Sequence, residues 1–173
     1  MHHLILHPDC KPGAIHTVRV ECGATPHGCR ATFRFEGDIS AITVPAHAAP
    51  ERRDELWKTT CFEIFWQGEG SDAYREFNLS PSSRWAAYDF DDVRVNGRDA
   101  PVEAISVSCS HTDRALDLTC DIAAQLPVPA KVALNAVVED AAGTLQFWAL
   151  SFAPGKPEFH SPACRALAIG DRP

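Results

Sequence analysis

Apolar and polar positions along this chain alternate with a period of two far more often than with the period of a helix. The alternation runs through His16–Cys22, Ala31–Glu36, Thr60–Trp66, Ala73–Ser80, Trp85–Phe90, Ala104–Ser110, Ala115–Ile122, Val132–Glu139 and Leu145–Phe152, the pattern of strands with one face toward a core. Turn-forming clusters separate these runs: Thr25–Gly28, Glu36–Asp38, Gln67–Gly70, Asn96–Gly97 and Ala142–Gly143. The prolines gather outside the runs, at Pro45, Pro50, Pro101, Pro127, Pro129, Pro154, Pro157 and Pro162, where the missing N–H breaks no ladder. Short strands joined by Gly/Pro turns predict an all-β protein, an antiparallel β-sandwich of jelly-roll or immunoglobulin-like topology. Asp121–Leu126 is expected to hold one helical turn before Pro127. No internal repeat or long linker divides the chain, so residues 1–173 are expected to form one domain.

The same alternation sorts side chains onto faces. Phe62, Ile64 and Trp66 point one way, with Cys61, Glu63 and Phe65 opposite; Arg75, Phe77 and Leu79 oppose Tyr74, Glu76, Asn78 and Ser80. If these two strands pair in register, Glu63, Glu76 and Asn78, and with them Trp85, line one sheet face. Asn135, inside the apolar run Val132–Val138, and Trp148 are further candidates. Each of these residues alone is open to a structural reading, since a strand carboxylate commonly faces solvent and a strand amide can satisfy a neighbouring backbone group. Together they give a polar patch flanked by aromatics, which suits a neutral polyhydroxylated ligand: C–H faces stack on rings and hydroxyls take directional partners. Trp57 follows the charged stretch Glu51–Glu55 and Trp85 follows the Ser80–Arg84 turn, so both are expected on loop rims, with plugging of the core as the alternative. His160, in Lys156–His160, caps the fold or points into the site. Glu63 and Glu76 are two carboxyls of the kind a glycosidase uses, but nothing else marks a cleft, and no enzyme is expected.

Composition narrows the partners. Sixteen Lys and Arg against 23 Asp and Glu leave a net charge of −7, with no basic stripe for phosphates, so nucleic acid is excluded as a partner. No apolar run approaches the roughly 20 residues of a membrane helix, and the start, MHHLILHPDCKPG, has no signal-peptide pattern. The seven cysteines, Cys10, Cys22, Cys29, Cys61, Cys109, Cys120 and Cys164, are odd in number and form no C-x-x-C pair. They read as reduced structural thiols in a cytoplasm rather than a zinc or redox site. The acidic stretch Asp89–Asp92 offers oxygen ligands for calcium but no recognisable calcium loop, and reads as a solvated turn. No cofactor and no metal ligand set is expected, and the partner is a small molecule.

Five ordered strings carry a family resemblance: LWKTTCFEIF (Leu56–Phe65), YREFNLSPSSRWAAYDF (Tyr74–Phe90), ALNAVVED (Ala133–Asp140), FWAL (Phe147–Leu150) and KPEFH (Lys156–His160). Together they resemble DOMON-like proteins related to family 9 carbohydrate-binding modules, over nearly the whole chain. The resemblance implies a β-sandwich without catalytic machinery. It also implies sugar stacking on a pair of tryptophans, with Trp57 as one and either Trp85 or Trp148 as the other. Other relatives bind haem, often through Met and His; the one methionine here is Met1, so a haem site would need two histidines or a His/Lys pair.

Overall fold

The computed structural model describes residues 1–170. Twelve strands form: β1 (His2–Leu6), β2 (Ile15–Thr25), β3 (Gly28–Gly37), β4 (Cys61–Gly68), β5 (Tyr74–Leu79), β6 (Trp85–Phe90), β7 (Arg98–Asp99), β8 (Ala104–His111), β9 (Ala115–Ala123), β10 (Ala130–Glu139), β11 (Leu145–Ala149) and β12 (Leu167–Ile169). The helical pieces among the described residues are three single 3₁₀ turns, Ile39–Ala41, Leu56–Lys58 and Pro162–Cys164. Every strand pairing is antiparallel, and eleven strands follow one hydrogen-bonded path, β7-β6-β5-β4-β10-β11-β1-β2-β3-β9-β8, with β12 added to the start of β10.

The sheet curls on itself, and β1 is where it bends round. Ile5 and Leu6 pair with Ala149 and Trp148 of β11, while His2, His3 and Leu4 pair with Val20, Arg19 and Val18 of β2. The two halves then press their apolar faces together. Phe33 and Phe35 of β3 meet Phe62 of β4, with ring centroids 5.0 and 4.6 Å apart. Ile64, Trp66, Phe77, Leu79, Leu116, Leu118 and Leu134 complete this core. Full burial of each such side chain is worth about 1.5–3 kcal/mol, which makes this contact the main source of stability. The Trp66 indole N–H is satisfied by the Pro127 carbonyl at 2.7 Å.

The nine strands expected from alternation all form, and the all-β antiparallel architecture with them. Three further strands form outside the alternating runs: β1, whose sequence His-His-Leu-Ile-Leu does not alternate, and β7 and β12, of two and three residues. The run Leu145–Phe152 leaves the sheet at Ala149. The helical turn expected over Asp121–Leu126 does not form. Asp121, Ile122 and Ala123 continue β9, because their backbone pairs with β3 and β8 on both sides. The continuous path through β1 is a single curled sheet.

One half carries a second layer. On β4 and β10 the faces turned away from the main core hold Phe65, Ala133 and Val137, and these pack with Tyr74, Ala149, Phe159 and Cys164. The covering residues come from the chain after β11. Both faces of β4 are therefore buried, although its outer face carries a carboxylate.

Candidate functional site

Register decides which polar residues meet on that outer face. Across β11, β10, β4, β5 and β6 one row reads Ala149, Asn135, Glu63, Asn78, Ala86. The next row reads Ala133, Phe65, Glu76, Tyr88. Directly opposite residues have Cβ atoms about 5 Å apart, so Glu63 sits between the two amides, with Glu76 one row along. Both carboxyls are buried, at 3% and 5% exposure. They form part of the lining of a partly open cavity of about 370 Å³.

Aromatic rings make the walls: Trp57, Tyr88, Phe90, Phe147 and Phe159, with Val137 and Pro157 between them. Trp57 stands in the 3₁₀ turn Leu56–Lys58, which enters through Glu55 in the left-handed conformation (φ 63°). The turn buries Leu56 and leaves Trp57 47% exposed at the rim. The Lys58 ammonium lies 5.7 Å from its ring centre. Tyr88 is held by donating its hydroxyl hydrogen to Asp54 at 2.6 Å. Phe90 stacks on Tyr74 at 5.1 Å and meets the His160 ring edge-on at 5.1 Å.

Arg94 reaches the cavity from the turn after β6, where Arg94 and Asn96 both adopt positive φ (58° and 52°). Its guanidinium is committed to Glu158 through two hydrogen bonds, Nε to Oε2 at 3.1 Å and Nη2 to Oε1 at 3.0 Å. Its backbone N–H donates to the Tyr74 hydroxyl at 3.3 Å. The Tyr74 hydroxyl hydrogen is then free to go to His160 Nδ1, 2.6 Å away. That leaves the imidazole hydrogen on Nε2, which faces Glu76 Oε2 at 3.6 Å, beyond ordinary hydrogen-bond length.

The electrostatics follow from burial. Desolvation pushes the Glu63 carboxyl well above the usual 4.5, and the neighbouring Glu76 pushes it further. Burial raises Glu76 to about 7, against the hydrogen bond from Asn78 Nδ2 (2.9 Å), which favours its charged form. His160 is lowered to about 4, by burial first and then by Arg94. Glu76 and His160 therefore meet without a full ion pair, because burial disfavours the charged form of each. Neither Glu63 nor Glu76 has a cationic partner in hydrogen-bond contact among the described residues.

Four of the residues singled out in the sequence come together here: Trp57, Glu63, Glu76 and His160. Asn78 and Asn135 support them from the same face but are fully buried. The side-chain oxygen of Asn78 and both side-chain polar atoms of Asn135 have no hydrogen-bond partner. Trp85 and Trp148 are corrected by the register. Trp85 pairs with Leu79 and Trp148 with Ala136, which turns both rings toward the main core, on the far side of the sheet from the cavity. The acidic stretch Asp89–Asp92 runs from the end of β6 into an exposed turn. Asp89 is held by Arg75 (Nε to Oδ1, 2.6 Å; Nη2 to Oδ2, 2.9 Å), and Asp91 by Arg98 and Asn96. No group of three or more His, Cys, Asp or Glu among the described residues is placed to hold a metal ion. Tyr88, Phe147 and Glu158 lie within quoted strings yet show their role only through register and the course of the chain after β11. Arg94 leaves no signal in sequence.

No family model and no curated protein matches this chain. Among solved structures, the fold is similar to that of a Bacteroides uniformis protein described as a "putative carbohydrate-binding protein", with 15% identity and a TM-score of 0.64 over 89% of this chain and 79% of that one. At that identity the likeness establishes a shared fold.

Proposed function

We propose that the cavity over Glu63 and Glu76 is the ligand site of a non-catalytic, carbohydrate-binding-like module. In this reading residues 1–173 are a single DOMON-like domain of jelly-roll type, related to family 9 carbohydrate-binding modules, and the ligand is a sugar or small polyol. The observation that carries it is the juxtaposition of ring walls with buried oxygen acceptors in one open cavity. Trp57 offers an accessible ring face at the rim, and the carboxyl groups at the base receive hydroxyls. Ring stacking of this kind adds about 1 kcal/mol beyond area burial. The sugar-binding description of the Bacteroides protein with the same fold supports the reading. The seven free thiols suit a reducing cytoplasm.

The description of the Bacteroides protein of the same fold as carbohydrate-binding supports a non-catalytic reading.

Intrinsic tryptophan fluorescence titrated with xylose, glucose and cello- and xylo-oligosaccharides tests the proposal. A saturable change that Trp57→Ala abolishes, with the circular dichroism spectrum unchanged, is the expected result. A flat response across the panel overturns the sugar reading.

A further inference from the structure

The cavity contains more acid than its own residues neutralise. Glu63, Glu76 and Glu158 face it from β4, β5 and the segment before His160, against one guanidinium, that of Arg94. Glu158 takes both hydrogen-bonding arms of that guanidinium. His160 faces Glu76 with an uncharged ring, its Nδ1 occupied by Tyr74. Arg165, the next cation on this side, lies over the Tyr74 ring at 4.2 Å and donates to the His160 carbonyl at 3.2 Å. Arg94 acts on Glu63 and Glu76 only at a distance, favouring their charged forms against burial, and neither carboxyl has a hydrogen-bonded cation among the described residues. Glu63 is only 3% exposed.

We infer that the ligand carries a protonated amine, and that within the sugar-binding reading on which this rests it is an amino sugar or amino polyol whose ammonium lies between Glu63 and Glu76. A buried carboxylate is costly without a paired cation, and a ligand ammonium supplies that cation with three N–H donors. The walls fit the same group. Trp57, Tyr88 and Phe90 line the cavity, and Lys58 beside Trp57 and Arg52 beside Tyr88 already show these rings accepting cations at 5.7 and 5.3 Å, an attraction worth most where water is excluded. A metal ion would gain nothing from rings and would require several more oxygen ligands than two carboxyls provide. Asn78, two residues along β5 on the same face, donates to Glu76 Oε1 at 2.9 Å and so restricts that carboxyl.

The inference also requires protons to leave. Burial holds Glu63 and Glu76 toward their neutral forms, and an arriving ammonium favours the charged forms. Binding at pH 6.5 therefore releases protons to the buffer.

Isothermal titration of the intact chain with glucosamine, glucose, N-acetylglucosamine and 2-aminoethanol, at pH 6.5 in two buffers of different ionisation enthalpy, tests this. Glucosamine is expected to bind at least tenfold more tightly than glucose or N-acetylglucosamine, with an apparent enthalpy that changes between buffers in the sense of proton release. Glu63→Gln and Glu76→Gln should each remove that preference, bringing glucosamine to within about twofold of glucose measured on the same variant. If glucose and N-acetylglucosamine bind as tightly as glucosamine, the amine inference is overturned and the sugar reading stands. If 2-aminoethanol binds as tightly as glucosamine and no neutral sugar binds, the amine inference holds and the sugar reading falls. If none of the four binds, both fall.

Discussion

Replacing Glu76 by Gln isolates the energetic consequence of burying an acid at the base of the cavity. The variant keeps the shape of the side chain and an oxygen to accept from Asn78 Nδ2, and removes only the ionisation. In the folded chain Glu76 is raised to about 7 from an ordinary value of 4.5. A folded-state value above the unfolded one means that the native chain holds the proton more tightly. The resulting stability is fully present below about pH 4.5 and is lost as the pH rises through 7. At about 1.4 kcal/mol per pH unit the loss comes to about 3 kcal/mol. His160 works in the opposite sense. Its value is depressed from 6.5 to about 4, so its contribution is present above 6.5 and is lost on acidification toward 4, again by about 3 kcal/mol. In the wild-type chain the two nearly cancel between pH 4.5 and 6.5, with Glu63 adding to the slope of Glu76. Glu76→Gln removes one of the two carboxyls that oppose His160 and leaves Glu63 in place, so the test is the difference between variant and wild type. Urea unfolding followed by tryptophan fluorescence at pH 4.5, 5.5, 6.5 and 8 gives both curves. The variant should gain on the wild type by about 3 kcal/mol between pH 4.5 and 8. A difference constant to within about 1 kcal/mol over that range would refute the reasoning, because a carboxyl that titrates alike folded and unfolded contributes no slope.

Two further substitutions probe the frame that carries the site. Phe62→Ala empties the contact between the two halves of the curled sheet, where Phe62 is fully buried against Phe33 and Phe35. It should cost about 3–5 kcal/mol in urea unfolding, and a loss under about 1 kcal/mol would mean that the halves are not held by this contact. Arg75→Met breaks the two-armed pairing with Asp89, which joins β5 to β6 with the side chains only 13% and 20% exposed. It should cost about 2 kcal/mol by leaving Asp89 largely desolvated and unpaired. Adding Asp89→Asn should recover part of that loss, and a purely additive double variant would show that the two residues are not coupled.

The alternation of side chains determined a large share of this protein by itself. A residue two positions along a strand returns to the same face whatever the strand pairs with. Phe62, Ile64 and Trp66 were therefore assignable to one side and Glu63 to the other before any neighbour was known, and the structure keeps that division. Trp57 at the rim was legible for a similar reason, lying in a short charged segment just outside a strand. Relations between strands were not legible. The pairing of Glu63 with Asn78 and with Asn135 depends on register, and a one-residue slip would have reversed every face. Register also removed Trp85 and Trp148 from the cavity, since a tryptophan at a strand end can turn either way until its partner, Leu79 or Ala136, is fixed. Only the course of the chain after β11 could bring Glu158, Phe159 and His160 over a sheet face some 80 residues earlier in sequence. That covering segment takes water away from Glu63 and Glu76. The unusual protonation of both carboxyls belongs to the tertiary structure, because a carboxyl titrates by how well its charge is solvated, and solvation is set by what lies on top of it.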